Sequence, residues 1–262
     1  MVNNDISSEA SSSDIQAVAR VGQICALFGP HTTELTAAAV AEQLNLNRTT
    51  AYRYCVSLVA AGILERGPGR GTFTLGGLML ELGIHALGRR RVVEIAPAHL
   101  RELSAVVRMT AVLGLWGARG PVVALVQEDV SRALVVTVHP GTQLDASAAQ
   151  MIVHLAHQSD PHAIDRIAAG LSNAERSELE AAVYAARRNG YAIVDHSDGL
   201  LALAAPVFDE HGIAATVALL GAESAESFTP DSPKLKNLLD TADALSDELG
   251  GGHEGHRSEE IQ

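Results

Sequence analysis

Apolar residues recur at helical spacing through the first part of the chain. Between Ile15 and Phe28 they fall at Val18, Val21, Ile24, Cys25 and Phe28, which predicts a helix stopped by Gly29-Pro30. Leu35-Thr36 opens a second helix, with Thr36 as its N-cap and Val40, Ala41 and Leu44 on its buried face. Asn45-Leu46-Asn47 then reads as a tight turn, in which Asn45 can take the left-handed conformation of a helix C-cap. A third helix is predicted from about Arg48 to Ala61. Ala51, Cys55, Leu58 and Val59 face inward at i, i+4, i+7 and i+8, and Gly62 ends it.

After Gly62 the period changes. Ile63 to Arg66 and Thr72 to Leu75 are short strands around Gly67-Pro68-Gly69-Arg70-Gly71, a turn no helix could cross. Leu78 to Arg91 reads as a helix ending in Arg89-Arg90-Arg91, where cations suit the helix dipole. The second half is mixed. Helices are expected over Val92–Val107, Ala146–His157, Asn173–Asn189 and Ser232–Leu249. Strands are expected over Thr110–Gly117, Pro121–Glu128, Ala133–His139 and Tyr191–Val194, with a hairpin of Leu201–Phe208 and Ile213–Leu220. Hairpin-built strands with helices on the sheet faces make an α+β domain.

Composition limits the classes. A chain of 262 residues, 47% hydrophobic, suits two domains with real cores, and 3% aromatic content makes those cores aliphatic. Met1 to Asp14 is Ser-rich, acidic and without an apolar run, so it is expected to be a disordered leader, not a secretory signal. Residues 250–262 read as a disordered tail. No apolar run reaches the roughly 18 residues of a membrane span, so no membrane partner is expected. Cys25 and Cys55 are expected to be buried thiols in a cytoplasmic protein.

The net charge of −12 alone argues against a polyanionic partner, but its distribution reverses the argument. Residues 15–91 carry eight arginines and four acids, a net of +4, whereas residues 92–262 carry eleven basic and twenty-four acidic residues, a net of −13. Every basic residue in the positive part is arginine, whose planar fork suits phosphate and guanine. Two helices joined by a short turn, followed by an arginine-tipped hairpin, form a winged helix-turn-helix plan. The third helix presents Arg48, Thr49, Thr50, Tyr52 and Arg53 off its inward face. With Thr36, Asn47, Arg66 and Arg70 they make the expected contact set for an operator in double-stranded DNA.

The stretch Leu35-Thr36-Ala37-Ala38-Ala39-Val40-Ala41-Glu42-Gln43-Leu44-Asn45-Leu46-Asn47-Arg48-Thr49-Thr50-Ala51-Tyr52-Arg53, continued by Leu58 to Arg66, resembles the IclR family of bacterial transcriptional regulators. Gly71 to Gly76, Leu80-Glu81-Leu82-Gly83, Arg188-Asn189-Gly190-Tyr191 and Ala204-Ala205-Pro206-Val207 resemble later landmarks of that family, in order. The resemblance covers residues 15–249. It implies a winged helix-turn-helix domain over 15–76, a linker helix over 77–91 and a GAF-like effector domain over 92–249. It also implies homodimers or homotetramers and a small-molecule effector. From the motifs the sequence lacks, no cofactor, metal or catalysis is expected.

Departures from the family pattern shape the effector expectation. The chain has Asn47, Thr49-Thr50 and Tyr52 where the family's recognition helix usually has Pro, Ser or Thr pairs and His, so the operator sequence does not carry over. The usual His-Ala-Thr/Ser motif reads Asp145-Ala146-Ser147, the common lysine four residues on is Met151, and Ala218 and Leu220 replace two serines. The resemblance assigns the pocket to Leu144, Ala146, Ala148, Ala149, Asp195, Ala202, Ala218 and Leu220, with Trp116 as a stacking candidate. Such a lining favours an apolar or aromatic effector with one polar group over a small hydrophilic acid. Two other readings stand beside this one: a ligand-independent repressor whose second domain only oligomerises, and a small-molecule enzyme. The second has little sequence support. Asp195-His196-Ser197-Asp198 are neighbours that point apart, and the histidine pairs, such as His154 and His157, lack a converging third ligand.

Overall fold

The computed structural model describes residues 15–130, 135–195, 199–222 and 232–251. The expected leader, most of the expected tail with His253 and His256, and His196-Ser197-Asp198 lie outside these residues. The chain divides into two compact units, residues 1–87 and 88–262.

The first unit runs α1 (Gln16–Cys25), β1 (Leu35–Thr36), α2 (Ala37–Gln43), α3 (Arg48–Ala60), β2 (Leu64–Arg66), β3 (Thr72–Leu75) and α4 (Gly77–Gly88). The strands form an antiparallel sheet in the order β1-β3-β2. Leu35 and Thr36, expected to start a helix, instead pair with Phe73 and Thr72. Thr36 still caps α2, since its Oγ1 accepts from the Ala39 N–H at 3.1 Å. Asn45 adopts φ 52°, as the turn requires. Ile24, Val40, Ala51, Cys55, Leu58, Leu64 and Phe73 make the core; Cys25 is half-buried.

The junction of β3 and α4 is tight. The Gly76 N–H donates to Ile63 O at 2.8 Å and the Leu78 N–H donates to Gly62 O at 3.1 Å. A Cβ on Gly76 would sit 2.3 Å from Gly62 O, so only glycine fits there. Helix α4 buries none of its residues; Leu80 is 67% exposed and Ile84 61%. It ends at Gly88, and α5 begins at Arg91. The Arg89-Arg90-Arg91 run therefore does not close a helix, and the helix dipole does not account for it.

The second unit runs α5 (Arg91–Val107), β4 (Thr110–Gly117), β5 (Gly120–Gln127), α6 (Ala149–His157), α7 (Ala163–Ala168), α8 (Asn173–Asn189), β6 (Ala192–Asp195), β7 (Leu201–Asp209), β8 (Gly212–Gly221) and α9 (Pro233–Glu248). The five strands form one antiparallel sheet in the order β5-β4-β8-β7-β6. Successive side chains alternate between its faces. Leu113, Leu203, Ala205, Val217 and Leu219 pack against Leu100 and Leu103 of α5 and Leu238 and Leu245 of α9. Val112, Ala202, Ala204 and Ala218 pack against Met151 and Val153 of α6 and Leu179 and Val183 of α8.

Three expectations change. Residues 135–139 form no strand: they run as an irregular segment, in which Val136 O accepts from Thr110 Oγ1. Ala133 and Leu134 lie outside the described residues. Helix α6 starts at Ala149, not Ala146, because Asp145 Oδ1 accepts from the Ser147 N–H at 2.9 Å and holds a turn there. Helix α7 was not foreseen; Arg176 joins α8 to it through Asp165 at 2.6 Å. The α8 boundaries match the pattern, with a capping box between Ser172 and Glu175 and Gly190 at φ 80° after its end.

His154 is fully buried in α6, its ring 5.4 Å from that of Trp116. Neither ring nitrogen has a well-formed hydrogen bond among the described residues. Burial pulls the imidazole pKa down to about 4, and the nearby Gly114 backbone offsets this only in part. The unfolded chain takes up this proton below about pH 6.5 and the folded chain does not until about pH 4. The neutral ring is therefore fully tolerated above that window, and stability falls as pH drops through it, by about 3 kcal/mol from this group. In urea titrations at pH 7 and pH 4.5, His154→Leu should lose less stability on acidification than the unsubstituted protein. Equal losses would show that the ring is protonated or solvated in the fold.

Candidate nucleic-acid interface and ligand cavity

The inward face of α3 leaves a continuous row outside. Arg48, Thr49 and Arg53 are exposed, Tyr52 is 50% exposed, and Thr50 is half-buried. The start of this helix is set by Asn47, whose Oδ1 accepts from the Thr50 N–H at 2.7 Å. Capping occupies that oxygen of Asn47, as it occupies Thr36 Oγ1 on α2, so both residues act first on helix geometry. Thr50 and Arg53 border a shallow groove that α1 completes with Val18 and Val21.

The β2–β3 hairpin stands beside this helix. Arg66 pairs across the strands with Phe73, and its guanidinium lies 4.8 Å above the Phe73 ring and 6.0 Å from that of Tyr52. The cation thus covers a buried ring and connects the hairpin to α3. Arg70 is exposed at the tip, in a turn shaped by Gly71 at φ 77° and by Thr72 Oγ1 donating to Gly69 O at 2.8 Å. Four exposed arginines on one small unit form a surface that attracts phosphate.

In the second unit, a cavity of about 280 Å³ opens beside β7 and β8. Leu144, Ala148, Ala149, Ala202, Ala218 and Leu220 line it. The other three expected effector residues do not. Ala146 lines a separate depression with Leu171 and Val194, Trp116 packs on His154, and Asp195 is exposed at the end of the edge strand β6. A larger cavity of about 730 Å³, between β7 and α9, contains none of the expected residues. Its size does not decide the matter, because the smaller one holds the cluster the sequence points to.

The smaller cavity also has lining that sequence reasoning missed. Val136 and Val138 come from the irregular segment, and Gln150 comes from the first turn of α6. Gln150 is 5% exposed, and its Nε2 donates to Thr216 O at 3.2 Å and Thr216 Oγ1 at 3.1 Å. A signal existed: Gln150 is the one polar residue in the run Ala148 to Val153. Among the described residues, no group of three or more His, Cys, Asp or Glu is arranged to hold a metal ion.

Known proteins resemble this chain in part of its sequence and in its fold. Residues 17–68 match the family model of the IclR helix-turn-helix domain. The chain is 30% identical over 105 residues to the HTH-type transcriptional regulator XynR of Escherichia coli K12; the match spans 40% of this chain and 42% of that regulator. Its fold superposes on an IclR transcriptional regulator from Silicibacter sp. TM1040 with a TM-score of 0.78, covering 90% of this chain and 97% of the other at 20% identity. An IclR homologue from Microbacterium hydrocarbonoxydans, solved with 4-hydroxybenzoate, gives a TM-score of 0.69 over 89% and 98% of the two chains, also at 20% identity.

The cap on α3 yields a prediction independent of any partner. Asn47→Ala should lower the stability of the first unit by about 1 kcal/mol, and Asn47→Ser should restore most of it, as read by thermal unfolding. Equal stability of all three proteins would mean that the cap carries no weight.

Proposed function

We propose that this chain, whose residues 17–68 form an IclR-type helix-turn-helix domain within the fold of IclR regulators, is a transcriptional regulator controlled by a small molecule. Residues 15–76 bind the operator, 77–91 link the units, and 92–249 hold the effector. The observation that carries the reading is the outward row of α3, flanked by an arginine-tipped hairpin. Such a row is what base-edge and phosphate contacts require. Arg48, Arg53 and Arg70 supply the cationic contacts, Thr49, Thr50 and Tyr52 the remaining polar ones, and Arg66 braces the hairpin against α3.

The effector occupies the cavity lined by Leu144, Ala148, Ala149, Ala202, Ala218 and Leu220. An apolar or aromatic body fits that lining, and the 4-hydroxybenzoate bound by the Microbacterium homologue is a ligand of that size. Binding shifts the population of arrangements that fit the operator, changing DNA affinity without chemistry. One recognition helix reads too few base pairs for genomic specificity, so the active form is at least a dimer. The exposed Ile15 just before α1, Val18 of α1, and the exposed Leu80, Leu82 and Ile84 of α4 provide apolar area for that contact. The protein works in the cytoplasm, and among the described residues no helix is long and apolar enough to cross a membrane.

The experiment is binding to duplex DNA from the region upstream of its own gene, across a salt series. Affinity should fall steeply with salt, and Arg53→Ala should weaken binding by about 1–3 kcal/mol if that side chain reads a base. Unchanged binding by a folded Arg53→Ala protein removes Arg53 from the interface; salt-independent binding removes the reading. Light scattering at micromolar concentration should report a dimer or larger. A monomer that still binds specifically would refute the assembly.

A further inference from the structure

We infer that the effector is an uncharged apolar molecule that donates a hydrogen bond to the side-chain amide oxygen of Gln150. This rests on the effector reading above and narrows it. Three observations converge on that oxygen.

The first is its orientation. Thr216 O is a backbone carbonyl and can only accept, so the group facing it must be the amide NH2. Both bonds of Gln150 Nε2 therefore go to Thr216, and Oε1 is the end left over. No described residue donates to it. The second is the space made for the amide. Gly114 lies across from Thr216 in the sheet, and a Cβ on Gly114 would stand 2.7 Å from Gln150 Nε2 and 2.9 Å from Thr216 Oγ1. The glycine keeps the amide seated over the sheet, so the oxygen is held in one position at no further entropic cost.

The third is what surrounds it. Gln150 lines the cavity and is 5% exposed; the other lining polar side chains, Thr137, Thr142, Gln143 and Asp145, are partly or fully exposed. With the amide nitrogen committed to Thr216, the oxygen of Gln150 is the acceptor this apolar lining offers to a ligand hydroxyl or N–H. Among the described lining residues there is no Lys, Arg or His to offset a carboxylate, and Asp145 adds a negative charge at the rim. An anionic effector would meet an acceptor and an acid where it needs donors.

Matched probes test this in the whole protein by calorimetry or thermal shift: 4-methylphenol against 1,4-dimethylbenzene, benzyl alcohol against ethylbenzene, and 4-methylbenzoate as the anion. The hydroxyl member of each pair should bind at least about tenfold tighter, although its partner is the more hydrophobic, and 4-methylbenzoate should bind weakest. Gln150→Met should bring each pair to within about twofold, while Ala202→Phe should abolish binding of every probe by filling the cavity. If Gln150→Met does not fold, the pairs in the unsubstituted protein decide alone. Equal affinity within the pairs, or tightest binding of 4-methylbenzoate, overturns the role of Gln150 and leaves the cavity as the effector site. Binding that survives Ala202→Phe, or no binding of any probe at millimolar concentration, overturns the cavity reading and this inference with it.

Discussion

The sheet of the second unit is covered on both faces, and the period of two in its strands assigns each side chain to one helix layer or the other. The central strands therefore have to be almost wholly apolar: Leu201 to Val207 is apolar throughout, and in Ala215 to Leu219 the one polar residue, Thr216, is buried and bonded to Gln150. The division is unequal. The face toward α5 and α9 carries leucines and valines, whereas the face toward α6 carries Ala202, Ala204 and Ala218. In a chain with 3% aromatic residues, close approach of α6 to these alanines takes the place of large rings in filling the core.

That closeness explains both the burial of α6 and the cavity at its start. Ala149 through Ala156 are all buried, so a polar residue among them must find partners inside the protein. Gln150 does so on Thr216, and His154 does so poorly, remaining neutral beside Trp116. Where the irregular segment around Val136 and Val138 replaces a packed strand, small side chains on the sheet leave open volume. The cavity is thus what remains when alanines face a loop instead of a helix.

Elements with their own local signals were legible in the sequence. Helix α8 has a capping box at one end and Gly190 at the other, and α3 has Asn47 before it and Gly62 after it. Asn45 was legible for the same reason. The region from Ala133 to Ser147 was not. Val136 and Val138 alternate like a strand, but the described part of the segment meets β5 through the isolated Val122–Gln143 bridge and the backbone bonds at Pro121 and Val123, and forms no ladder. The cavity residues on β7, β8 and α6 followed from the family resemblance. Trp116 and Asp195 fell outside the cavity because packing around His154 and the position of the edge strand are tertiary facts. Gln150 was overlooked because one amide in an apolar run looks like a surface residue until the helix is seen to be buried on every side.

The glycine between β3 and α4 has a mechanical meaning. Two backbone hydrogen bonds and a steric stop join the start of α4 to the turn that follows α3, with no side chain available to yield. A helix of twelve residues is about 18 Å long, so α4 is a rod clamped at one end. A sideways push on its far end is not absorbed at a loose joint. It arrives as torque on the hairpin and on the helix whose outward row carries Arg48 and Arg53.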